Sequence, residues 1–185
     1  MTQANQARGG ACWEWVGAEL RAYHPGGPRA IGIAALEGMG MPVREARIAW
    51  KGTLEQGTGE VKLVSSGLAT YEVSFPKRAA DDAQGTTSPE ELIAAAHASC
   101  YAMQLSAMIA QAGGTPGSLD VRAAVTLGPD PAGGFAISGI HLTVVGRLEG
   151  LTPEQFAKVA DDAKSQCPVS KALTGTTITL ESRLA

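Results

Sequence analysis

The chain has 185 residues, 44% hydrophobic and 18% charged, with 15 Lys plus Arg against 18 Asp plus Glu and three cysteines. A domain of this size can bury most of its apolar surface without a disulfide framework, and three cysteines are too few to form one. A formal net charge of -3 lacks the basic excess that phosphate backbones require, and no run reaches the ~20 apolar residues of a membrane span. A soluble globular domain with neither nucleic acid nor membrane as partner is therefore expected. The low cysteine count fits a reducing, cytoplasmic compartment. The open question is whether Cys12, Cys100 and Cys167 are inert or reactive.

Residues 1–40 hold eight glycines, no lysine and a Pro25-Gly26-Gly27-Pro28 breaker, with no sustained period of 2 or 3.6. This composition predicts a poorly ordered extension. Its start is too polar for a secretory signal. Met39 and Met41 stand where periodic sequence begins, which makes an upstream or misassigned start an alternative.

Ala46, Ile48 and Trp50 alternate with other residues, as do Val61 and Leu63, then Tyr71, Val73 and Phe75. This is the period of half-buried strands, and the glycine-bearing turns between them predict an antiparallel meander. Ser88-Pro89-Glu90-Glu91 then opens a helix, with a hydroxyl at the N-cap, proline at the first position and Glu91 placed for a capping box. The helix runs to Gly113-Gly114 and carries no formal charge from Leu92 to Ala110. A helix apolar around nearly its whole circumference must be buried on most sides. With sheet on one side, it needs a second helix or a second subunit on the other.

Leu119 to Leu127 and Phe135 to Val144 alternate as a hairpin around Pro131-Ala132-Gly133-Gly134, with a bulge predicted at Gly139. Thr152-Pro153-Glu154-Gln155 is a second capping box, opening a helix whose Phe156, Val159, Ala160 and Ala163 share one face. Cys167 falls on the same stripe, and Pro168 predicts a break there. Ile178 and Leu180 suggest a last strand. Strands segregated from helices favour an α+β fold.

Cys100 stands about three turns into the uncharged helix. On residue type alone it reads as a small buried hydrophobe. A reactive thiol needs a nearby positive charge to favour its thiolate, and the helix itself offers only His97. Cys167 faces the same bland reading, although a helix break lets a thiol meet a partner. Cys12 reads as incidental. His97, Cys100 and Cys167 make a weak metal-site signal without the usual paired spacing or a fourth ligand. Ser106, His141 and Ser170 lack the G-x-S-x-G context of a hydrolase.

Thr87-Ser88-Pro89-Glu90-Glu91-Leu92-Ile93-Ala94-Ala95-Ala96-His97-Ala98-Ser99-Cys100-Tyr101, followed by Gln166-Cys167-Pro168-Val169-Ser170, resembles the OsmC/Ohr family of thiol peroxidases, the OsmC branch more closely. The resemblance covers about residues 41–185. It implies an intertwined homodimer with active sites at the subunit interface, antiparallel sheets and a long buried central helix. Cys100 would be the peroxidatic nucleophile and Cys167 the resolving cysteine. Arg78, at the matching Phe-x-x-Arg position, would hold the thiolate and the peroxide, with Lys77 as the neighbouring alternative, and Glu90 would orient the arginine. Glu90 and Cys100 lie about 15 Å apart along a straight helix, so an arginine between them or a kink is required. The implied activity is reduction of organic hydroperoxides, with hydrogen peroxide small enough to enter. The implied reductant is an external dithiol of lipoyl type, with no metal, flavin or haem cofactor. A non-catalytic dimeric binding domain with merely buried cysteines is the competing reading.

Overall fold

The computed structural model describes residues 43–83 and 85–185, together with two short strands before them. Those strands, β1 (Trp13–Val16) and β2 (Glu19–Ala22), pair antiparallel. The rest of residues 1–40, with Cys12, Met39 and the expectation of a poorly ordered extension, lies outside the described residues, as does Met41.

The main unit runs from Arg44 to Ala185. Its first sheet is the expected meander of β3 (Ala46–Lys51), β4 (Thr58–Leu63) and β5 (Thr70–Val73), antiparallel throughout. The third strand ends earlier than its alternation suggests: Phe75 begins a helical turn, α1 (Phe75–Arg78). Pro76 is the physical reason, since it has no N–H for a ladder and its fixed φ suits the first turn of a helix. The Phe75 ring leaves the sheet and stacks, tilted, 5.8 Å from the Phe135 ring.

The helix α2 (Pro89–Gln111) starts where the cap chemistry places it, with Ser88 Oγ accepting from the Glu91 N–H at 3.1 Å. The box is only half made. Glu91 Oε2 accepts from the Thr87 hydroxyl at 2.7 Å instead of reaching the Ser88 backbone. Within one chain α2 buries a single stripe, Glu90, His97, Tyr101, Leu105 and Ile109. Among the described residues the expected burial on most sides is therefore not met, and Met103 remains 67% exposed. Against the expectation that no run is long and apolar enough for a membrane span, α2 is so by length and composition; its Tyr101, Leu105 and Ile109 pack into the core.

The second sheet consists of β6 (Thr115–Pro129), β7 (Phe135–Glu149) and β8 (Ile178–Leu184), with β7 in the middle. The hairpin has its bulge one residue before the predicted place: Thr126 pairs Gly139 and Leu127 pairs Ile137, which leaves Ser138 as the extra residue. The sheet is mixed, where an all-antiparallel one was expected, because β8 runs parallel to β7. Parallel neighbours require a crossover. It is supplied by α3 (Pro153–Gln166) and α4 (Pro168–Ala172). At the start of α3 the capping box is complete: Thr152 Oγ1 accepts from the Gln155 N–H and Gln155 Oε1 from the Thr152 N–H.

Ile140, Leu142 and Val144 of β7 point to the helical face, and the core is closed by Tyr101, Leu105 and Ile109 from α2 and Phe156, Ala160 and Ala163 from α3. Cys167 is a member of this core and Cys100 packs against it. The fold is α+β, two small sheets with helices over the second.

Candidate active site

Cys167 is both the last cap of α3 and the first of α4, with φ -58° and ψ 123°. Those angles follow from Pro168, whose ring disfavours helical geometry in the residue before it. The break turns the chain so that the fully buried Cys167 side chain and the backbone of Val169 both meet α2 at Cys100. The Cys100 thiol is half-buried and packs against the core cluster that contains Cys167, close enough to the Cys167 thiol and the Val169 backbone N–H for both to act on its ionisation. Both thiols are free.

Three influences act on Cys100. Burial is the largest and pushes its thiol above the ordinary 9.0; the Val169 N–H pulls it down by favouring the thiolate; Cys167 pushes it up again. Burial prevails, so within one chain Cys100 is a protonated thiol at neutral pH. The geometry can support disulfide formation. It does not by itself make a strong nucleophile.

Arg78 and Glu90 form the second group. The Arg78 guanidinium meets the Glu90 carboxylate through Nε at 3.2 and 3.1 Å and through a terminal nitrogen at 2.6 Å, a bidentate fork. The Glu90 bonds raise the arginine pKa. Burial alone would push the Glu90 carboxyl up, but the Arg78 fork, its own backbone N–H at the helix start and the Ser88 hydroxyl outweigh it and hold the carboxyl below the usual 4.5. An open cleft of about 350 Å³ lies beside the pair, lined in part by Lys77, Thr87, Ala94 and Val125.

The four sequence-derived residues thus form two pairs. The chain brings Cys100 to Cys167 and Arg78 to Glu90, but it does not bring Arg78 to Cys100, which takes no influence from it. Ten residues of helix, about 15 Å, separate Glu90 from Cys100. His97 and Ser170, weighed above as a metal ligand and a hydrolase nucleophile, bond to each other: His97 Nε2 lies 2.8 Å from Ser170 Oγ. Among the described residues no three candidate metal ligands converge. The Val169 N–H could not be read from residue types, although the Pro168 break beside it could.

The family model described as OsmC-like protein matches residues 80–181. The chain is 38% identical over 130 residues to Peroxiredoxin OsmC of Escherichia coli, an alignment covering 70% of this chain and 89% of that protein. Among solved structures, the organic hydroperoxide resistance protein OhrB of Bacillus subtilis superposes with a TM-score of 0.59 at 26% identity, over 75% of this chain and 98% of that one. The organic hydroperoxide resistance protein of Elizabethkingia anophelis does so with a TM-score of 0.60 at 27% identity, over 78% and 99%. Matched in sequence across Cys100 and Cys167 and in fold over about three quarters of its length, the chain belongs to the OsmC-like protein family.

Proposed function

We propose that the protein is a cysteine-based peroxidase that reduces organic hydroperoxides, using Cys100 as the nucleophile and Cys167 as the resolving thiol. The observation that carries this reading is the meeting of the two thiols at the Cys167 break, where a sulfenic acid on one could be captured by the other without unfolding either helix. The family membership and the relatives' names support a role with peroxides.

The Cys100 thiolate attacks the distal oxygen of the hydroperoxide. The O–O bond breaks, the alkoxide takes a proton from water and leaves as an alcohol, and Cys100 becomes a sulfenic acid. Cys167 sulfur then bonds to Cys100 sulfur, and the displaced hydroxide leaves as water with the Cys167 proton. An external dithiol, of lipoyl type in this reading, reduces the disulfide by two exchange steps. The cycle uses no metal, flavin or haem.

Burial holds Cys100 as a thiol, so the reading requires a cation from elsewhere. The Arg78–Glu90 pair is preformed too far along α2 to serve the Cys100 of its own straight helix. We place it at the Cys100 of a second copy, in a homodimer whose interface covers the open face of α2. The uncharged run from Leu92 to Ala110 and the exposed Met103, Ile48 and Trp50 support that arrangement. Apolar surroundings at Cys100 favour organic over wholly polar peroxides. The reading places the protein in oxidative or osmotic stress defence, in a reducing cytoplasm able to reset the disulfide.

Consumption of cumene hydroperoxide with a dithiol present tests it. Cys100→Ser should abolish turnover, and Cys167→Ser should allow one oxidation and then stall. A Cys100→Ser protein as fast as the parent would overturn the catalytic assignment of Cys100, and a parent that consumes no peroxide with a dithiol present would favour a non-catalytic dimer with buried cysteines.

A further inference from the structure

The turn that carries Cys167 is gripped on both sides by the helix face that carries Cys100. His97, Cys100 and Tyr101 stand at i, i+3 and i+4 on α2, so their side chains leave the helix together. Tyr101 donates its hydroxyl to the Ala160 carbonyl of α3 at 3.0 Å, before the break. His97 Nε2 meets Ser170 Oγ of α4 at 2.8 Å, after it. Between these bonds Cys100 lies beside Cys167 and the Val169 backbone N–H.

The His97 bond is an unusual one to keep in a core. The ring is fully buried, and its Nδ1 has no hydrogen-bond partner. A bare acceptor is tolerated inside a protein more readily than an unpaired N–H, which favours the tautomer with its proton on Nε2, donating to Ser170. Burial keeps the imidazole neutral. The ring therefore spends its burial on one interaction, and that interaction holds α4. Beside the packing of Cys167 and Val169 on the core, α4 is five residues long and its N-cap makes no side-chain hydrogen bond, so among the described residues the His97 bond is the side-chain hydrogen bond that ties α4 to α2.

We propose that His97 and Ser170 are positioning residues for the resolving step, their hydrogen bond keeping Cys167 and Val169 against Cys100 so that the sulfenic acid is captured before a second peroxide reaches it. This rests on the assignment of Cys100 and Cys167 made above. Two fates compete for the sulfenic acid. In the first, Cys167 sulfur displaces hydroxide from Cys100 and water leaves. In the second, another hydroperoxide transfers its oxygen to Cys100, giving sulfinic acid and an alcohol. A loosened turn slows the first and leaves the chemistry of the second untouched.

The test is rapid-quench mass spectrometry of the full chain after cumene hydroperoxide. Dimedone-trapped Cys100 sulfenic acid reports the peroxide step, and the intramolecular disulfide reports the resolving step. Ser170→Ala should slow disulfide formation about ten-fold or more, the order expected of a misplaced reacting group, and raise the sulfinic fraction while sulfenic acid forms at the parent's rate. Ser170→Thr, which keeps the hydroxyl, should behave as the parent. The double variant His97→Leu/Ser170→Ala leaves neither partner buried and unpaired, and so keeps the test available where Ser170→Ala folds poorly; it should show the same slowed resolution. Disulfide formation as fast as in the parent, or equal slowing of both steps, would overturn the proposal and leave the peroxidase reading standing. A parent protein that forms no Cys100–Cys167 disulfide would overturn both.

Discussion

Cys100 and Arg78 pose an electrostatic problem that neither solves alone. Burial raises the thiol above its ordinary 9.0 and no described residue reverses this, whereas Arg78 is already forked onto Glu90. A cation placed against a thiolate lowers its pKa, and removing the cation returns it upward. Alkylation of Cys100 by iodoacetamide, followed against pH, should therefore shift toward alkali in Arg78→Ala. The sign is fixed: the reactive thiolate appears as pH rises through the Cys100 pKa, and the variant needs a higher pH to reach the same rate. An unchanged profile would remove Arg78 from the site and turn attention to Lys77. At this scale the residue types were legible in the sequence, but their pairing was only partly so. The cysteine pair could be named from two separated motifs. His97 with Ser170 could not, because a hydrogen bond between residues 73 apart depends on how the Cys167 break is turned.

The elements whose origin is local could be read most directly. Ser88-Pro89 and Thr152-Pro153 start their helices because a hydroxyl at the N-cap and a proline at the next position satisfy the first turn whatever surrounds them. Pro168 ends α3 for a similarly local reason. What escaped the sequence depends on distant partners. Alternation could not show that β8 would enter parallel to β7, since both directions put the same residues on the core face. The turn at Pro76 is the exception, a local signal that the alternation of Tyr71, Val73 and Phe75 overrode. The contact of α3 with the sheet is close enough to test. A Cβ at Gly146 of β7 would lie 2.9 and 3.1 Å from Phe156 ring atoms, so Gly146→Val should destabilise the protein by about 1–3 kcal/mol through overpacking. Urea unfolding measures this. An unchanged midpoint would mean that the Phe156 ring gives way and that α3 is less tightly seated than its burial indicates.

For the whole molecule, the unmatched expectation is the informative one. A helix without formal charge from Leu92 to Ala110 predicts burial on most sides, yet the described residues of one chain cover a single stripe and leave Met103 67% exposed. The same second copy that would cover this face would also carry the missing cation to Cys100. A charge buried there without a partner opposes association, so Met103→Glu should convert a dimer into monomers in sedimentation velocity and lose peroxide turnover in parallel. Monomeric parent protein with full activity would contradict the shared site. Cys167 illustrates the same point in miniature: its burial in the core reads as inert packing until its neighbour is known. The most direct test of the account is peptide mapping of the parent protein after one equivalent of cumene hydroperoxide, with free thiols blocked under denaturing conditions. The account predicts one cross-linked peptide pair joining Cys100 to Cys167 within a chain, lost on adding a dithiol. Cys167 recovered as a free, blocked thiol in protein that has turned over would contradict it.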